Sequence, residues 1–160
     1  MIVSNTTPIS NLLHIGQIRL LPILFGHIHI PLAVAEELNV VFANCQELKQ
    51  AINDEQIILD KVSNTIFINH MTPLLHRGEI EAICLGLEND AKLCLIDDKD
   101  GREIAIMNNL PVTGTLGILL MAKKMGFISS IKGLVDELRM DNHFWVSEAM
   151  YQKVMSLSKE

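Results

Sequence analysis

Oxygen-bearing side chains occur at three separated places in the 160-residue sequence where the local pattern predicts a strand end or a helix start. Asp97 and Asp98 directly follow an apolar run that is typical of a buried strand. Glu79 and Glu81 lie in the first turn of a predicted helix, and Asn5 follows a short apolar strand at the start of the chain. Carboxylate and amide oxygens with positions left open to water suit Mg²⁺ or Mn²⁺, and such a site supports hydrolysis of phosphodiester bonds.

Most of these acidic residues also have a structural interpretation. Glu79 and Glu81 would stabilise the dipole of their helix, and Asp98 would cap the helix that starts near Lys99. Asp97 has no such explanation, because it directly terminates an apolar strand. Since the carboxyl ends of parallel strands share one edge of a sheet, the combined pattern favours a cation site at that edge.

Alternating strands and helices are predicted along the whole chain. Strands are expected at residues 1–4, 28–30, 65–68, 93–96 and 111–112, and the stretch 53–72 is otherwise unclear. Helices are expected near residues 8–16, 18–25, 31–41 (continuing or restarting to 52), 78–87, 104–107, 116–125, 131–140 and 147–157. This order predicts a three-layer α/β/α fold with a central, mainly parallel sheet of about four to five strands. Residues 1–160 are predicted to form one domain, on which the C-terminal helices at about 130–157 pack.

Composition narrows the class of protein. Hydrophobic residues make up 49% of the chain, which is enough for a core, and the formal net charge of −6 does not suggest a general nucleic-acid binder. A carboxylate metal site would contribute to that negative charge, and bound cations would offset it locally. No apolar run approaches the roughly 20 residues of a membrane span, and no signal peptide is recognisable, so a cytoplasmic protein is predicted. Cys84 and Cys94 lie in apolar runs and are predicted to be buried thiols rather than disulfides or zinc ligands.

Basic residues near the predicted edge could contact phosphate groups. Arg77, Lys99 and Arg102 are the candidates, with an ordinary solvated face as the alternative. The sequence contains no H-E-x-x-H zinc motif, no G-x-S-x-G nucleophile turn and no phosphate-binding G-x-x-x-x-G-K-[S/T] loop. These absences argue against a zinc protease, a serine hydrolase of that type and a nucleoside triphosphatase.

Four short motifs in order resemble the PIN domain family. The segment SNTTPI at 4–9 is similar to the opening Asp-[Ser/Thr]-[Ser/Thr] motif of PIN domains. The other three resemble a PIN-like subfamily related to VapC-type toxins: GEIEAI at 78–83, LIDDK at 95–99 followed by Arg102, and VTGTLG at 112–117. The resemblance extends over nearly the whole chain, to Tyr151.

The resemblance implies a metal-dependent endoribonuclease that acts on single-stranded RNA and uses Mg²⁺ or Mn²⁺. Proteins of this kind are often toxins held in check by an antitoxin, and they are commonly homodimers. The resemblance assigns Thr115 a hydroxyl that orients a ligand or water, and it assigns ligand roles to Asn5, Glu37, Glu79 or Glu81, and Asp97 or Asp98. The role of Glu37 rests on the resemblance alone.

Asn5 departs from the family pattern, which has aspartate at this position. An amide oxygen can bind a metal ion, but it carries no charge and cannot act as a base. Weaker metal binding is therefore expected, with activity reduced or lost. One alternative is a PIN fold that serves as a nucleic-acid-binding or regulatory module. An unrelated doubly wound domain using Asp97 and Asp98 is a further alternative, although it would be expected to have an aspartate after the first strand.

Overall fold

Five parallel strands form the centre of the fold in the computed structural model, which describes residues 1–140 and 144–160. The strands are β1 (Ile2–Ser4), β2 (Ile28–Pro31), β3 (Ile57–Asp60), β4 (Leu93–Leu95) and β5 (Val112–Thr113). Their order across the sheet is β3-β2-β1-β4-β5. The direction in which strands are added reverses between β1 and β4, and ligands bind at the carboxyl ends of such a pair.

Helices flank the sheet, which confirms the predicted α/β fold with a central parallel sheet. They are α1 (Thr6–His14), α2 (Leu20–Phe25), α3 (Leu32–Phe42), α4 (Gln46–Asn53), α5 (Thr65–Met71), α6 (Arg77–Glu88), α7 (Lys99–Met107), α8 (Thr115–Lys124), α9 (Lys132–Met140) and α10 (Glu148–Ser158). Within the described ranges, no helix is both long and apolar enough to cross a membrane.

Two apolar clusters cover the two faces of the sheet. Along β4 and just beyond it, Leu95 joins the larger cluster, whereas Cys94 and Ile96 join the smaller one, as the two-residue period of a strand requires. Helices α6 and α7 supply much of the smaller cluster, and Val135 of α9 and Val154 of α10 belong to the larger one. Residues 141–143, which the predicted C-terminal helical region includes, lie outside the described part of the chain. Cys84 and Cys94 are buried free thiols, as predicted.

The strand predicted at residues 65–68 is wrong, because these residues begin helix α5. Asn64 starts this helix, since its side-chain oxygen accepts a hydrogen bond from the backbone N–H of Phe67 at 3.0 Å. Ile66 is 81% exposed, so its β-branched side chain, which suggested a strand, does not pack in the core of the sheet. The strand of this region is instead β3, which was not predicted and which pairs with β2 through Ile28 and Ile57.

The side chain of Glu160 holds the start of α9 against α8. It accepts hydrogen bonds from the backbone N–H groups of Ile131 at 2.9 Å and Lys132 at 3.1 Å, and it pairs with the ammonium group of Lys123. The hydrogen bonds from Lys123 and Ser130 lower the pKa of Glu160 to about 2. A carboxylate with a lowered pKa stabilises the folded state above its unfolded pKa and loses this effect as the pH falls through its folded pKa.

We expect Glu160→Gln to lower the Tm at neutral pH. The difference from wild type should shrink as the pH falls from about 4.5 towards about 2, because wild-type Glu160 then takes up a proton. Thermal unfolding followed by circular dichroism across this range measures the effect. Glu137→Gln, which changes an exposed residue of α9, is the matched control. A Tm difference that does not depend on pH would contradict the interpretation.

Candidate active site

Asn5 lies at the crevice between β1 and β4. It directly follows β1, and its backbone N–H donates to the carbonyl of Leu95 in β4 at 3.1 Å. The Asn5 side chain is almost fully buried, and its Oδ1 accepts no hydrogen bond from any residue that the structure describes. A buried acceptor without a partner costs about 1–3 kcal/mol. Such an atom is therefore best explained by a ligand, an ion or water that binds there.

Asp97 enters the same crevice from the end of β4 and is held by hydrogen-bond donors. Its Oδ1 accepts from the backbone N–H of Thr115 at 2.7 Å. Its Oδ2 accepts from the Thr115 hydroxyl at 2.6 Å and from the Asn11 amide at 3.1 Å. Burial raises the pKa of Asp97, whereas these hydrogen bonds act in the opposite direction. The position of the carboxylate is thus set by residues of α1 and α8, and the hydroxyl of Thr115 orients Asp97 itself.

Glu79 and Asp98 face each other in a second, acidic pocket, and Asp98 also lines a groove beside Asp97. Both line a pocket of about 340 Å³ that Asp100 also lines. Glu79 accepts a hydrogen bond from the backbone N–H of His76 at 3.1 Å, while Asp98 caps α7 through the backbone N–H of Asp100 at 2.9 Å. Burial raises the pKa of Glu79, and the negative charge of Asp98 raises it further. A cation between the two carboxylates would offset this repulsion.

Glu37 connects the segment that contains Asn5 with the segment that contains Glu79. The hydroxyl of Thr6 donates to one of its carboxylate oxygens, and the backbone N–H of Gly78 donates to the other at 3.1 Å. Thr6 follows Asn5 and Gly78 precedes Glu79, so the Glu37 carboxylate lies next to both segments. No local sequence pattern places Glu37 there, because the contacts depend on how α3 packs against α1 and α6.

Glu81 lies on a different side of α6 from Glu79. Residues two positions apart on a helix point roughly 200° apart around its axis. Glu81 accepts hydrogen bonds from the backbone N–H of Ala33 at 3.2 Å and from Nε of Arg77 at 2.8 Å. Pro31, the N-cap of α3, provides no side-chain hydrogen bond to that helix. Glu81 thus accepts a hydrogen bond from an N–H at the start of α3 and forms an ion pair with Arg77. Nη1 of Arg77 also lies 3.5 Å from Oε2 of Glu36.

Three glycines allow these carboxylates to approach the backbone closely. A Cβ atom on Gly78 would lie 2.6 Å from the carboxylate oxygens of Glu37, and one on Gly114 would lie 2.4 Å from Oδ1 of Asp97. On Gly101 it would lie 3.2 Å from Oε1 of Glu79. Each glycine stands at the start of a helix. Gly78 and Gly114 belong to the motifs described above, but the close approach to these three glycines was not predicted. A glycine within a helix is unfavourable by up to about 1 kcal/mol, so Gly78 and Gly101 offered a signal of close contact. Gly114 offered none, because glycine is common at an N-cap.

Asn11 is a further residue of the crevice that was not predicted from the sequence. Its amide group donates to Asp97, and also to the hydroxyl of Thr115 at 3.2 Å. It is buried in α1 among Ile9 and Leu12. A polar residue within an apolar helical stretch was the available signal, because buried amides need hydrogen-bond partners.

The predicted basic residues lie in different surroundings. Arg102 lines a groove beside Asp97 and donates from Nη1 to the carbonyl of Ile96 at 2.9 Å. Lys99 lines the same groove, with its ammonium group 3.8 Å from Glu103. Arg77 does not line this groove and is paired with Glu81. The structure therefore brings Lys99 and Arg102, but not Arg77, to the Asp97 side of the crevice.

The crevice has the chemistry of a site for a hard cation. Among residues 1–140 and 144–160, no three Asp, Glu, His or Cys side chains converge closely enough to coordinate one ion by themselves. Mg²⁺, however, keeps several waters and is usually held by one or two carboxylates together with substrate phosphates. The unpaired Oδ1 of Asn5 and the facing carboxylates of Glu79 and Asp98 fit that requirement. All these donors are oxygen atoms, which suits Mg²⁺ or Mn²⁺.

Comparison with protein families gives a match over the full chain. A family model described as "DUF3368: PIN domain" matches residues 1–160. No curated protein and no solved structure gives a match. A PIN domain indicates nuclease-type function on nucleic acids, and PIN domains generally depend on a divalent metal ion. The match names the family but not the toxin-related subfamily. The chain belongs to the PIN domain family.

Proposed function

We propose that this protein is a metal-dependent endoribonuclease that hydrolyses phosphodiester bonds in single-stranded RNA. The observation that carries the proposal is the unpaired Oδ1 of Asn5, buried at the crevice between β1 and β4 where Asp97 also enters. Glu79 and Asp98 add a pair of facing carboxylates nearby. Membership of a nuclease-type family supports the same conclusion.

The residues of the crevice divide into ligands and positioning groups. Asn5, Glu79, Asp97 and Asp98 would hold Mg²⁺ or Mn²⁺. When bound, such an ion lowers the pKa of an attacking water and stabilises charge on the leaving oxygen. The groups that fix these ligands are Thr115 and Asn11 for Asp97, and the backbone N–H of His76 for Glu79.

Glu37 and Glu81 act mainly on the arrangement of helices. Glu37 connects the start of α1 to the start of α6. Its carboxylate contacts Thr6 and Gly78, the chain neighbours of Asn5 and Glu79, and this position would allow it to serve as a further ligand. Glu81 has partners for both carboxylate oxygens and connects α6 to α3. We therefore propose Glu37 as the next ligand candidate and Glu81 as a positioning residue.

A second function is favoured by Asn5. Its amide brings no negative charge and accepts no proton, so the metal would be held more weakly than by an aspartate. A PIN fold with weakened catalysis that serves as a nucleic-acid-binding or regulatory module is the alternative. The toxin role, an antitoxin partner, a homodimer and a cytoplasmic location remain predictions from the sequence.

The two functions are distinguished by cleavage of a mixed single-stranded RNA pool in Mn²⁺, using wild type, Asp97→Ala and Asn5→Asp. Cleavage by wild type that disappears in Asp97→Ala would establish the nuclease. An inactive wild type together with an active Asn5→Asp would show an otherwise intact site disabled at one ligand, and would favour the binding or regulatory module over the nuclease. Circular dichroism of each variant shows whether a loss of cleavage follows from a loss of fold.

We expect Asn5→Asp to strengthen Mn²⁺ binding by about tenfold or more, which corresponds to about 1.4 kcal/mol. The added carboxylate places a full negative charge where the wild-type side chain offers only an unpaired amide oxygen. Isothermal titration calorimetry with MnCl₂ measures the affinity. Asn53→Asp, which adds the same charge at an exposed position of α4, is the matched control. Equal Mn²⁺ affinity in wild type and Asn5→Asp would contradict the placement of Asn5 in the metal site.

A further inference from the structure

A groove of about 710 Å³ leads away from Asp97 and Asp98 towards the C-terminal helix. Helix α8 forms one wall, and the segment 144–147 together with α10 forms the other. We call this the C-terminal groove. Because it opens at the proposed catalytic carboxylates, anything bound along it would continue directly into the crevice between β1 and β4.

Trp145 stands exposed on one wall of the C-terminal groove. Its side chain is 85% exposed, whereas Val146 is buried and Phe144 packs against the larger apolar cluster. Ser147 then caps α10 by accepting from the backbone N–H of Met150 at 3.1 Å. The residues on both sides of Trp145 are thus anchored in the fold. Because buried and exposed side chains alternate along this segment, the indole lies outside. A tryptophan can bury 150–250 Å² and usually does so in a core or an interface, so an anchored, exposed indole indicates a ligand surface.

Cations line the same groove although the chain as a whole carries a net charge of −6. Lys99 and Arg102 lie on the side of the carboxylates, and Lys153 of α10 lies on the side of Trp145. Within the described part of the chain, Lys153 forms no ion pair. Positive side chains contact phosphates, and aromatic rings beside them stack on unpaired bases. Duplex bases are already stacked on each other and do not offer a face to such a ring.

We propose that the C-terminal groove binds one strand of RNA, with Trp145 stacked on an unpaired base and Lys153 contacting the adjacent phosphate. This inference rests on the proposed function, since it extends the substrate path away from the carboxylates. It assigns Trp145 a role in selecting single strands over duplexes. Neither residue touches the site of phosphodiester cleavage, so both act through substrate binding.

Trp145 is the only tryptophan of the chain, so its fluorescence reports directly on stacking. Wild-type protein is titrated in EDTA, which prevents metal-dependent cleavage, with a short single-stranded RNA and with a self-complementary RNA duplex of similar length. The single strand should quench the tryptophan emission in a saturable way, and the duplex should not. Absence of quenching by the single strand, or equal quenching by both, would overturn the proposal.

Affinities are measured separately by fluorescence anisotropy of an end-labelled single-stranded RNA. Trp145→Ala should weaken binding by about 5- to 140-fold, and Trp145→Phe should restore most of it, because loss of one stacked base corresponds to that range. Lys153→Ala should reduce the slope of log affinity against log salt by about 0.7, the value for one phosphate contact on a single strand. Val40→Ala and Lys49→Ala, which change exposed residues outside the C-terminal groove, should leave the affinity unchanged.

The outcomes separate this inference from the nuclease proposal. RNA binding that depends on Trp145 in a protein that cleaves nothing would support the groove and contradict the nuclease. Cleavage in Mn²⁺ with the same KM in wild type and Trp145→Ala would support the nuclease and overturn the groove. If both proposals hold, Trp145→Ala should raise the KM for single-stranded RNA by about the factor seen in binding, with little change in kcat.

Discussion

Changing Asp97 to asparagine should reduce Mn²⁺-dependent cleavage of single-stranded RNA by about 100-fold or more. Loss of a residue that only orients a metal ligand already costs about 10- to 100-fold, and Asp97 is a proposed ligand itself. Asp97→Asn should also lower the free energy of unfolding by about 1–3 kcal/mol. The substitution keeps the shape of the side chain, but its NH₂ group must take the place of one carboxylate oxygen. Both oxygens of Asp97 accept hydrogen bonds from Thr115, and Oδ2 accepts one from Asn11 as well. In either orientation, the new NH₂ group, which is a donor, would therefore face at least one donor group of Thr115 or Asn11.

Cleavage rates and urea unfolding of Asp97→Asn measure the two effects. Asp54→Asn is the matched control, because among the residues that the structure describes its carboxylate accepts hydrogen bonds from the exposed Gln50 side chain alone. Thr115→Ser keeps both donors to Asp97 and should retain activity, whereas Thr115→Val removes the hydroxyl and should lose part of it. An Asp97→Asn protein with wild-type stability and wild-type cleavage would contradict both the hydrogen-bond arrangement and the proposed site.

Gly114→Ala is expected to have an effect nearly as large on activity without changing any polar group. The added Cβ would lie 2.4 Å from Oδ1 of Asp97 and 3.2 Å from the carbonyl of Ile96. The φ angle of −129° suits alanine, so lack of space and not backbone strain opposes the substitution. The Asp97 carboxylate must move away from the backbone N–H of Thr115, from which it accepts a hydrogen bond of 2.7 Å. We expect a loss of about 1–3 kcal/mol in stability and of about 10- to 100-fold in cleavage.

Gly133→Ala provides the comparison for Gly114→Ala. A Cβ on Gly133 would meet no atom of residues 1–140 or 144–160 within 4 Å, and Gly133 lies in α9, away from the carboxylates of the crevice. Because alanine favours a helix over glycine by up to about 1 kcal/mol, Gly133→Ala should leave stability unchanged or raise it, and cleavage should stay at the wild-type level. Equal cleavage by Gly114→Ala and Gly133→Ala would show that Asp97 does not need its close approach to the backbone.

Local sequence patterns were sufficient to predict the fold class and the ends of most strands. The apolar run before Asp97 and the short strand before Asn5 predicted two strand ends at one edge of the sheet. That β1 and β4 are adjacent was not predicted. The period of apolar residues predicted α6 and α8 to within a residue or two. The same patterns failed at residues 57–68, because a short run of β-branched residues suits an exposed helix turn as well as a strand.

The residues at strand ends and helix starts can therefore be predicted from local patterns, since these positions depend on neighbours along the chain. How the acidic residues are used depends instead on contacts between distant segments. Glu37 contacts residues 31 and 41 positions away, and Asn11 contacts Asp97 across 86 positions. Glu79 and Glu81 were both predicted in the first turn of a helix, but α6 begins at Arg77, so that turn contains Glu79 and not Glu81. Glu79 faces Asp98, whereas Glu81 faces α3. Such differences depend on which elements pack against each side of a helix, and no local period carries that information.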